Sequence, residues 1–409
     1  MDSIQGPFIT ADSEEIVRIA IVGPVSPRGL ASFFNREDAV RAMQEGGNYG
    51  QAPTALAAAL CDAGHSITVV SHRRGQPSLE LRGPTMRFIQ VASRMKAGRQ
   101  ALDWWREERQ SMVAVLDQLS VDIIHAHWTY EWAAAALSST AAPTVITARD
   151  APLTILRYQS DAYRLLRTVL AYNVRVRARN SLILAASPYM AERWRREMFW
   201  YKPIPIAPNL VSSAVSMRGI AKTENPSIVE IADSSPRKNV WKLLESFAMV
   251  RSDFENSTLT LIGDGLSEND SLYLRACAAN LTDGVRFAGM LEREPLLKIL
   301  EQSWIHAHLS VEESFGNTLV EAMALRTSVV GGAKSGAVPW VLGDGVCGEL
   351  VEVNDVIDVS NRLKELISNP DRRRQFTDNG LLRLKEVFSA EAVVRLHIDS
   401  YSDAIGGLN

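Results

Sequence analysis

The sequence predicts an α/β protein built from two doubly wound parallel sheets in series. Three observations carry this reading: twelve short apolar runs, most of them rich in β-branched residues, helical stretches between them, and a polar break near the middle framed by prolines. Strands that are apolar throughout, rather than alternating, belong to parallel sheets covered by helices on both faces. At 409 residues the chain is also longer than one core usually organises, so two domains are expected.

In the first half the runs are VRIAIVGPV (17–25), SITVVS (66–71), MRFIQV (86–91), DIIHAHW (122–128), TVITARD (144–150) and LILAASP (182–188). In the second half they are SIVEIAD (227–233), TLTLIGDG (258–265), VRFAGM (285–290), WIHAHLS (304–310), SVVGGA (328–333) and GELVEV (348–353). About six strands per half suffice for one sheet each. The segment 208–226 breaks both periodicities between Pro208 and Pro226. The domains are therefore set at 1–210 and 211–388, followed by an amphipathic helix in 389–409. Ligands of open parallel sheets bind beyond the carboxyl ends of the strands, so the informative residues should follow strands.

Composition narrows the class. Hydrophobic residues at 46% and charged residues at 22% are ordinary for a soluble globular protein. The start, MDSIQGPFITADSEE, is acidic and polar, which does not read as a secretory signal. The longest uncharged stretch, Trp132–Ala148, carries Ser, Thr and Pro143 and does not read as a membrane span. Cys61, Cys277 and Cys347 lie far apart, as expected of small core positions in a reducing compartment. The expectation is a cytoplasmic protein. Residues 1–215 hold 24 Lys+Arg against 19 Asp+Glu, a balance of +5, and the remainder 20 against 28, or −8. Within 154–202 ten basic residues interleave with aromatics against three acidic ones. Arginine stems lying over apolar surface explain this most simply. The sharper alternative is peripheral contact with the inner face of an anionic membrane, or with an anionic acceptor. No nucleic-acid motif accompanies the charge, so nucleic acid is not an expected partner.

The densest chemistry follows WIHAHLS. Glu313 falls in a strand-to-helix turn, Ser314 reads as the helix cap, Gly316 permits a tight backbone, and Glu321 falls in the second helical turn. Free amides at such a helix start form an anion site bracketed by the two carboxylates. Earlier in the chain, Gly46, Gly47 and Gly50 precede the helix TALAAALCDAG, as a loop that lets backbone approach a ligand. His125 and His127 are read as facing opposite sides of their strand, and so as no joint chelate.

The string Glu313-Ser-Phe-Gly-Asn-Thr-Leu-Val-Glu321, continued by Ala-Met-Ala and Ser328-Val-Val-Gly-Gly, resembles the E-x7-E element of glycosyltransferase family 4, whose members share the GT-B fold. VRIAIVG, EGGNYGQAP, VDIIHAHW, AASPYMAERW, IAPNLV, LTLIGDG and VRFAGM fall in the family's order along most of the chain. The resemblance implies two Rossmann-like domains facing a cleft, the first for an acceptor and the second for a nucleotide sugar, with the last helix returning to the first domain. It implies a hexosyl transfer with retention from a nucleotide-diphosphate sugar to a glycan or lipid-linked acceptor, as in bacterial surface polysaccharides, with no cofactor. Carried over by position, Glu321 would bind the ribose and Glu313 would lie beside the donor sugar. The backbone of Phe315, Gly316, Asn317 and Thr318 would meet sugar and phosphate, and Gly47 and Gly50 would approach the donor. His127 would sit near the reacting sugar.

IADSSPRKNV (231–240) stands where the family carries a G-R-x-x-x-x-K-G clamp on the diphosphate. Lys238 keeps the lysine, but Asp233 replaces the arginine, and Ala232 and Asn239 replace the glycines. Arg237 is the candidate second cation, although an adjacent side chain ordinarily points elsewhere. Arg326 replaces the glycine that ends the family's helix. Arg149, in Thr147-Ala-Arg149-Asp150 where members carry histidine, brings a positive charge to the acceptor side, with Tyr49 beside it; a salt bridge to Asp150 or Glu131 would explain it equally well. No D-x-D pair occurs, so no metal site is expected, and Lys238 and helix amides would neutralise the leaving group. The competing readings are a nucleotide-sugar epimerase of the same fold and a non-catalytic sugar-nucleotide binder.

Overall fold

Seven strands between residues 18 and 185 form the first sheet, in the order β3-β4-β2-β1-β5-β6-β7. They are β1 Arg18–Val22, β2 Ser66–His72, β3 Leu79–Arg82, β4 Met86–Val91, β5 Ile123–His127, β6 Thr144–Ala148 and β7 Leu182–Ala185. Six strands form the second sheet, in the order β10-β9-β8-β11-β12-β13. These are β8 Ser227–Ile231, β9 Thr258–Ile262, β10 Val285–Gly289, β11 Ile305–His308, β12 Ser328–Gly332 and β13 Glu349–Val351. The computed structural model describes residues 16–45, 49–212, 215 and 219–407.

All twelve runs become strands, and every pairing is parallel except β3 with β4. The first sheet thus gains an antiparallel edge strand beyond the six expected. LELR is short and half charged, and an edge strand needs only one buried face, so it gives no continuous apolar run. Helices cover both faces, with β1 and β5 buried almost throughout.

Each sheet winds outward in both directions from a switch point, between β1 and β5 in the first and between β8 and β11 in the second. A crevice opens at the carboxyl ends of the strands there, because the connecting segments leave to opposite sides. The two switch points face a shared cleft of about 730 Å³ whose walls include Tyr49, Gln51 and Thr54 from the first unit, and Arg293, Asn317 and Glu321 from the second.

The helix Ala390–Gly406 returns to the first sheet, as the family resemblance implied. Its Val393 and Tyr401 belong to the same apolar cluster as Ile19, Leu60 and Val69. Tyr401 reaches the strand core directly, its hydroxyl 2.7 Å from His125 Nδ1. Cys61 and Cys347 are buried, but Cys277 is exposed near the end of the helix Ser271–Ala278, against the expectation of three core cysteines.

Candidate functional site

The second switch point gathers the charges. β8 runs into a short 3₁₀ turn, Pro236–Lys238, and β11 into the turn holding Glu313. The two turns are tied by the Val311 amide donating to the Arg237 carbonyl at 2.8 Å. Lys238 Nζ then donates to Glu313 Oε2 at 2.8 Å. Arg237 does not point away as an adjacent residue ordinarily would. The tight turn rotates successive side chains by about a third of a circle, and its guanidinium lies 3.7 Å from Glu313 Oε2 while donating to the Glu312 carbonyl. Burial alone would push the Glu313 carboxyl up, but Lys238, His308 and Arg237 overcome it and hold it well below the ordinary carboxylate range.

The family's arginine position, Asp233, serves the loop instead: its Oδ1 accepts from the Ser235 amide at 2.8 Å. Asn239 stands in for a glycine and adopts its left-handed backbone at φ 56°, which asparagine tolerates better than most residues.

The helix after Glu313 runs Asn317–Ala324. Ser314 is not its cap; Gly316 is, at φ 91°, and its left-handed turn lets the chain enter the helix from the strand. The Ser314 carbonyl instead accepts from the Ser187 hydroxyl of the first unit at 2.7 Å. The side chains of the turn are mostly structural. Phe315 packs edge-on against Trp340 and Phe388, and the Thr318 hydroxyl lies 3.0 Å from His306 Nε2. Their backbone remains at the amino end of the helix, whose first amides have no intrahelical acceptor. Nearby, the buried hydroxyls of Ser235, Ser310 and Ser335 have no hydrogen-bond partner. Two cations, free amides and unsatisfied hydroxyls at the carboxyl ends of β8, β11 and β12 form a concavity suited to a polyanion with hydroxyl groups.

Glu321 faces the cleft and is gripped by both Arg293 nitrogens, at 2.6 and 3.1 Å. The cleft reaches Glu321 and Asn317, whereas Lys238 and Glu313 are not among its lining residues. Arg293 lies in a separate helix, Arg293–Gln302, and no motif in the sequence marks it.

On the first unit, His127 ends β5 beside the first switch point and is fully buried. His125 and His127 do not face opposite sides. Strand periodicity is two, so residues i and i+2 share a face, and the rings stand 4.2 Å apart. His125 is held by Tyr401 and Thr147, whereas His127 Nε2 has no partner. Arg149 donates to His127 Nδ1, with Nη2 at 2.8 Å, and to Asn209. It pairs with neither Asp150 nor Glu131; Glu131 instead faces Arg167 at 3.4 Å. With no carboxylate among its bonded partners, burial lowers Arg149 to about 9. Asn209 in turn donates to Asn317 Oδ1 at 2.8 Å, linking this arginine to the helix start of the second unit.

Gly50 is left-handed at φ 59°, and a Cβ there would lie 1.5 Å from the Pro24 carbonyl oxygen, so only glycine fits. That close approach is to the β1 loop of the protein itself. Gly47 lies outside the described residues. The Tyr49 hydroxyl is buried without a partner, and the Arg73 guanidinium stands 5.1 Å from the ring centre. No group of three His, Cys, Asp or Glu side chains suited to a metal occurs among the described residues.

Residues 54–234 match the family model described as Glycosyltransferase Family 4, and residues 217–383 the one described as Glycosyl transferases group 1. Over 180 residues the chain is 32% identical to the MMP alpha-(1->4)-mannosyltransferase of Mycolicibacterium hassiacum, spanning 44% of this chain and 43% of that relative. It is 23% identical over 375 residues to the N-acetyl-alpha-D-glucosaminyl L-malate synthase of Bacillus anthracis, spanning 88% and 94%. Among solved structures, the sucrose-phosphate synthase of Thermosynechococcus elongatus shares the fold with a TM-score of 0.74 at 17% identity, covering 95% of this chain and 99% of that one.

Proposed function

The chain belongs to glycosyltransferase family 4, with the GT-B fold, and from that premise we propose that it moves a hexosyl unit, with retention, from a nucleotide-diphosphate sugar to an anionic acceptor. One observation carries the reading: Lys238 and Arg237 converge on Glu313 beside a free helix start, next to a cleft in which Glu321 is presented by Arg293.

The leaving diphosphate would draw Lys238 and Arg237 from Glu313 and take the amides of residues 317 and 318. Fixed dipoles aimed at the charge that develops there lower the barrier without reorganising. Arg237 thus supplies the cation that the family draws from the position of Asp233. Glu321 would accept from the ribose hydroxyls and Glu313 from the sugar. Arg149, His127 and Tyr49 would meet the acceptor. A buried guanidinium bonded only to neutral groups favours an anion, either carboxylate or phosphate. The Bacillus anthracis relative, named for L-malate, agrees with an acidic acceptor.

Incubation with a panel of uridine, guanosine and adenosine diphosphate sugars tests the reading. Free nucleotide released only when an acidic acceptor is added is the expected result. Conversion of the sugar nucleotide without acceptor would identify an epimerase, and binding without turnover a non-catalytic binder.

A membrane-bound acceptor has its own support. Leu165, Val169, Val176, Phe199 and Tyr201 are exposed, with Arg157, Arg179, Arg195, Arg196 and Lys202 on the same segment. No described helix is long and apolar enough to cross a membrane, so the contact would be peripheral. Co-sedimentation with vesicles containing anionic lipid, and not with neutral ones, is expected; equal recovery from both would remove the membrane from the reading.

A further inference from the structure

Beneath Glu313 the second switch point carries two buried titratable groups with no role so far. Glu230 and His308 lie just past the last registered pair of β8 and β11, His306↔Val229, and each is 1% exposed. His308 Nδ1 is 3.8 Å from Glu230 Oε1, and Nε2 is 3.4 Å from Glu313 Oε2. The imidazole therefore stands between two carboxyls. One of them, Glu313, carries Lys238. The other has no ammonium or guanidinium within ion-pair distance, and neither of its oxygens has a hydrogen bond of ordinary geometry. Both strands ordinarily place apolar side chains at a sheet centre, so a Glu–His pair there calls for a reason.

An isolated buried carboxylate is costly, and the group keeps its proton instead. Burial pushes Glu230 up to about 8, helped by the charge on Glu313 and opposed by Lys238 and by the backbone amides of Leu309 and Ile231. Burial also pushes His308 down, against the pull of Glu313, so the ring is neutral. The remaining charged or titratable neighbours are Arg237 and His306, and His306 is already held by the Val229 carbonyl and the Thr318 hydroxyl. A neutral imidazole has one N–H and one lone pair. Neither ring nitrogen has a hydrogen bond of ordinary geometry at these distances; a protonated Glu230, closing from 3.8 Å, would supply a donor to Nδ1 and leave the ring proton on Nε2, facing Glu313.

We propose that Glu230 and His308 are positioning residues, Glu230 fixing the Nε2–H tautomer of His308 and His308 holding Glu313 from behind. The need arises when the diphosphate takes Lys238: the imidazole N–H is then the contact that keeps Glu313 aimed at the donor sugar. That consequence rests on the transferase reading, whereas the tautomer does not.

Two measurements on the full-length protein separate these. In protein labelled with 15N-histidine, His308 is assigned by its absence in His308→Gln. Its nitrogen shifts should report a neutral ring protonated on Nε2 at neutral pH, kept in Glu230→Gln and lost in Glu230→Leu. Protonation on Nδ1, or a tautomer indifferent to Glu230→Leu, overturns the pair. With a nucleotide sugar that is turned over, Glu230→Leu should lower kcat by roughly tenfold or more with little change in donor KM. Wild-type kcat should decline on the alkaline side near 8, where Glu230 ionises; Glu230→Gln should restore kcat at neutral pH and remove that decline. A wild-type pH profile in Glu230→Gln, or equal losses in both variants, overturns the positioning role. If Glu230→Leu does not fold, the Gln profile decides. Absence of turnover with every sugar nucleotide would sink the transferase reading, and the tautomer measurement would still judge the pair.

Discussion

Lys238 and Glu313 neutralise each other at 2.8 Å, which holds both side chains in place at the second switch point. Lys238→Ala should lower turnover by about 10²–10³-fold, since it strips one cation from the leaving group; steady-state kinetics with the identified donor would measure this, and an undiminished kcat would remove the lysine from the site. Glu321 is bound by Arg293 on both oxygens, leaving their outward lone pairs for a ligand. Glu321→Ala should weaken nucleotide binding by roughly tenfold to a hundredfold, the worth of one or two charge-assisted hydrogen bonds. Calorimetric titration with the nucleoside diphosphate alone reads this without turnover. Glu230 adds a pH signature to stability. Its folded value is raised to about 8 from an ordinary carboxyl value of 4.5. Below the lower value folded and unfolded chains are equally protonated, and between the two the unfolded chain alone ionises. Wild type therefore loses stability as pH rises from about 5 to about 8 and levels off beyond. Melting curves of Glu230→Gln should rise above wild type across that window, and parallel curves would contradict the buried neutral acid.

Most of what departs from the family at the level of elements concerns how the chain turns. Arg326 ends the helix Asn317–Ala324 in left-handed backbone, at φ 51°, where the family places glycine, and pairs with Asp378 at the surface. A non-glycine residue there costs about 1 kcal/mol, and an exposed ion pair returns only a fraction of it. Arg326→Gly should therefore stabilise the second unit by about 0.5–1 kcal/mol in denaturant unfolding. Asn239 and Gly316 solve the same backbone problem at helix starts, and Gly316 displaced Ser314 as cap because the left-handed turn comes two residues later. Apolar strands were legible since burial on both faces leaves a continuous pattern. β3 was not, because its four residues gain their place from pairing with β4 alone.

At the scale of the molecule, direct bonds between the two units among the described residues include Ser187 to Ser314 at 2.7 Å, Asn209 to Asn317 at 2.8 Å, the Tyr189 hydroxyl with Glu312, and the exposed Arg28 with Glu292 at 3.5 Å. Exposed pairs contribute little, so the first three hold most of the cleft's polar closure. Interfaces of this kind ordinarily permit hinge motion. Ser187→Ala combined with Asn209→Ala should open the ligand-free protein, raising its radius of gyration above the compact value of about 22 Å. Small-angle scattering would detect the change, and addition of nucleoside diphosphate should reverse part of it. Unchanged scattering would mean that apolar contact and the Tyr189–Glu312 pair set the cleft.

Sequence by itself determined the strand pattern, the two-sheet architecture and the element from Glu313 to Glu321, because periodicity and local turn chemistry act over neighbouring residues. It also marked Lys238 and Arg149 as charges in unusual places. Only the tertiary structure decided their company. Arg237 joins Glu313 because a tight turn redirects it, Arg293 reaches Glu321 from another helix, and Asn209 links Arg149 to Asn317 across the cleft. Glu230 and His308 are 78 residues apart, and parallel sheet order makes them neighbours. Contacts of that kind are set by which strands pack side by side, and no local pattern in the chain encodes them.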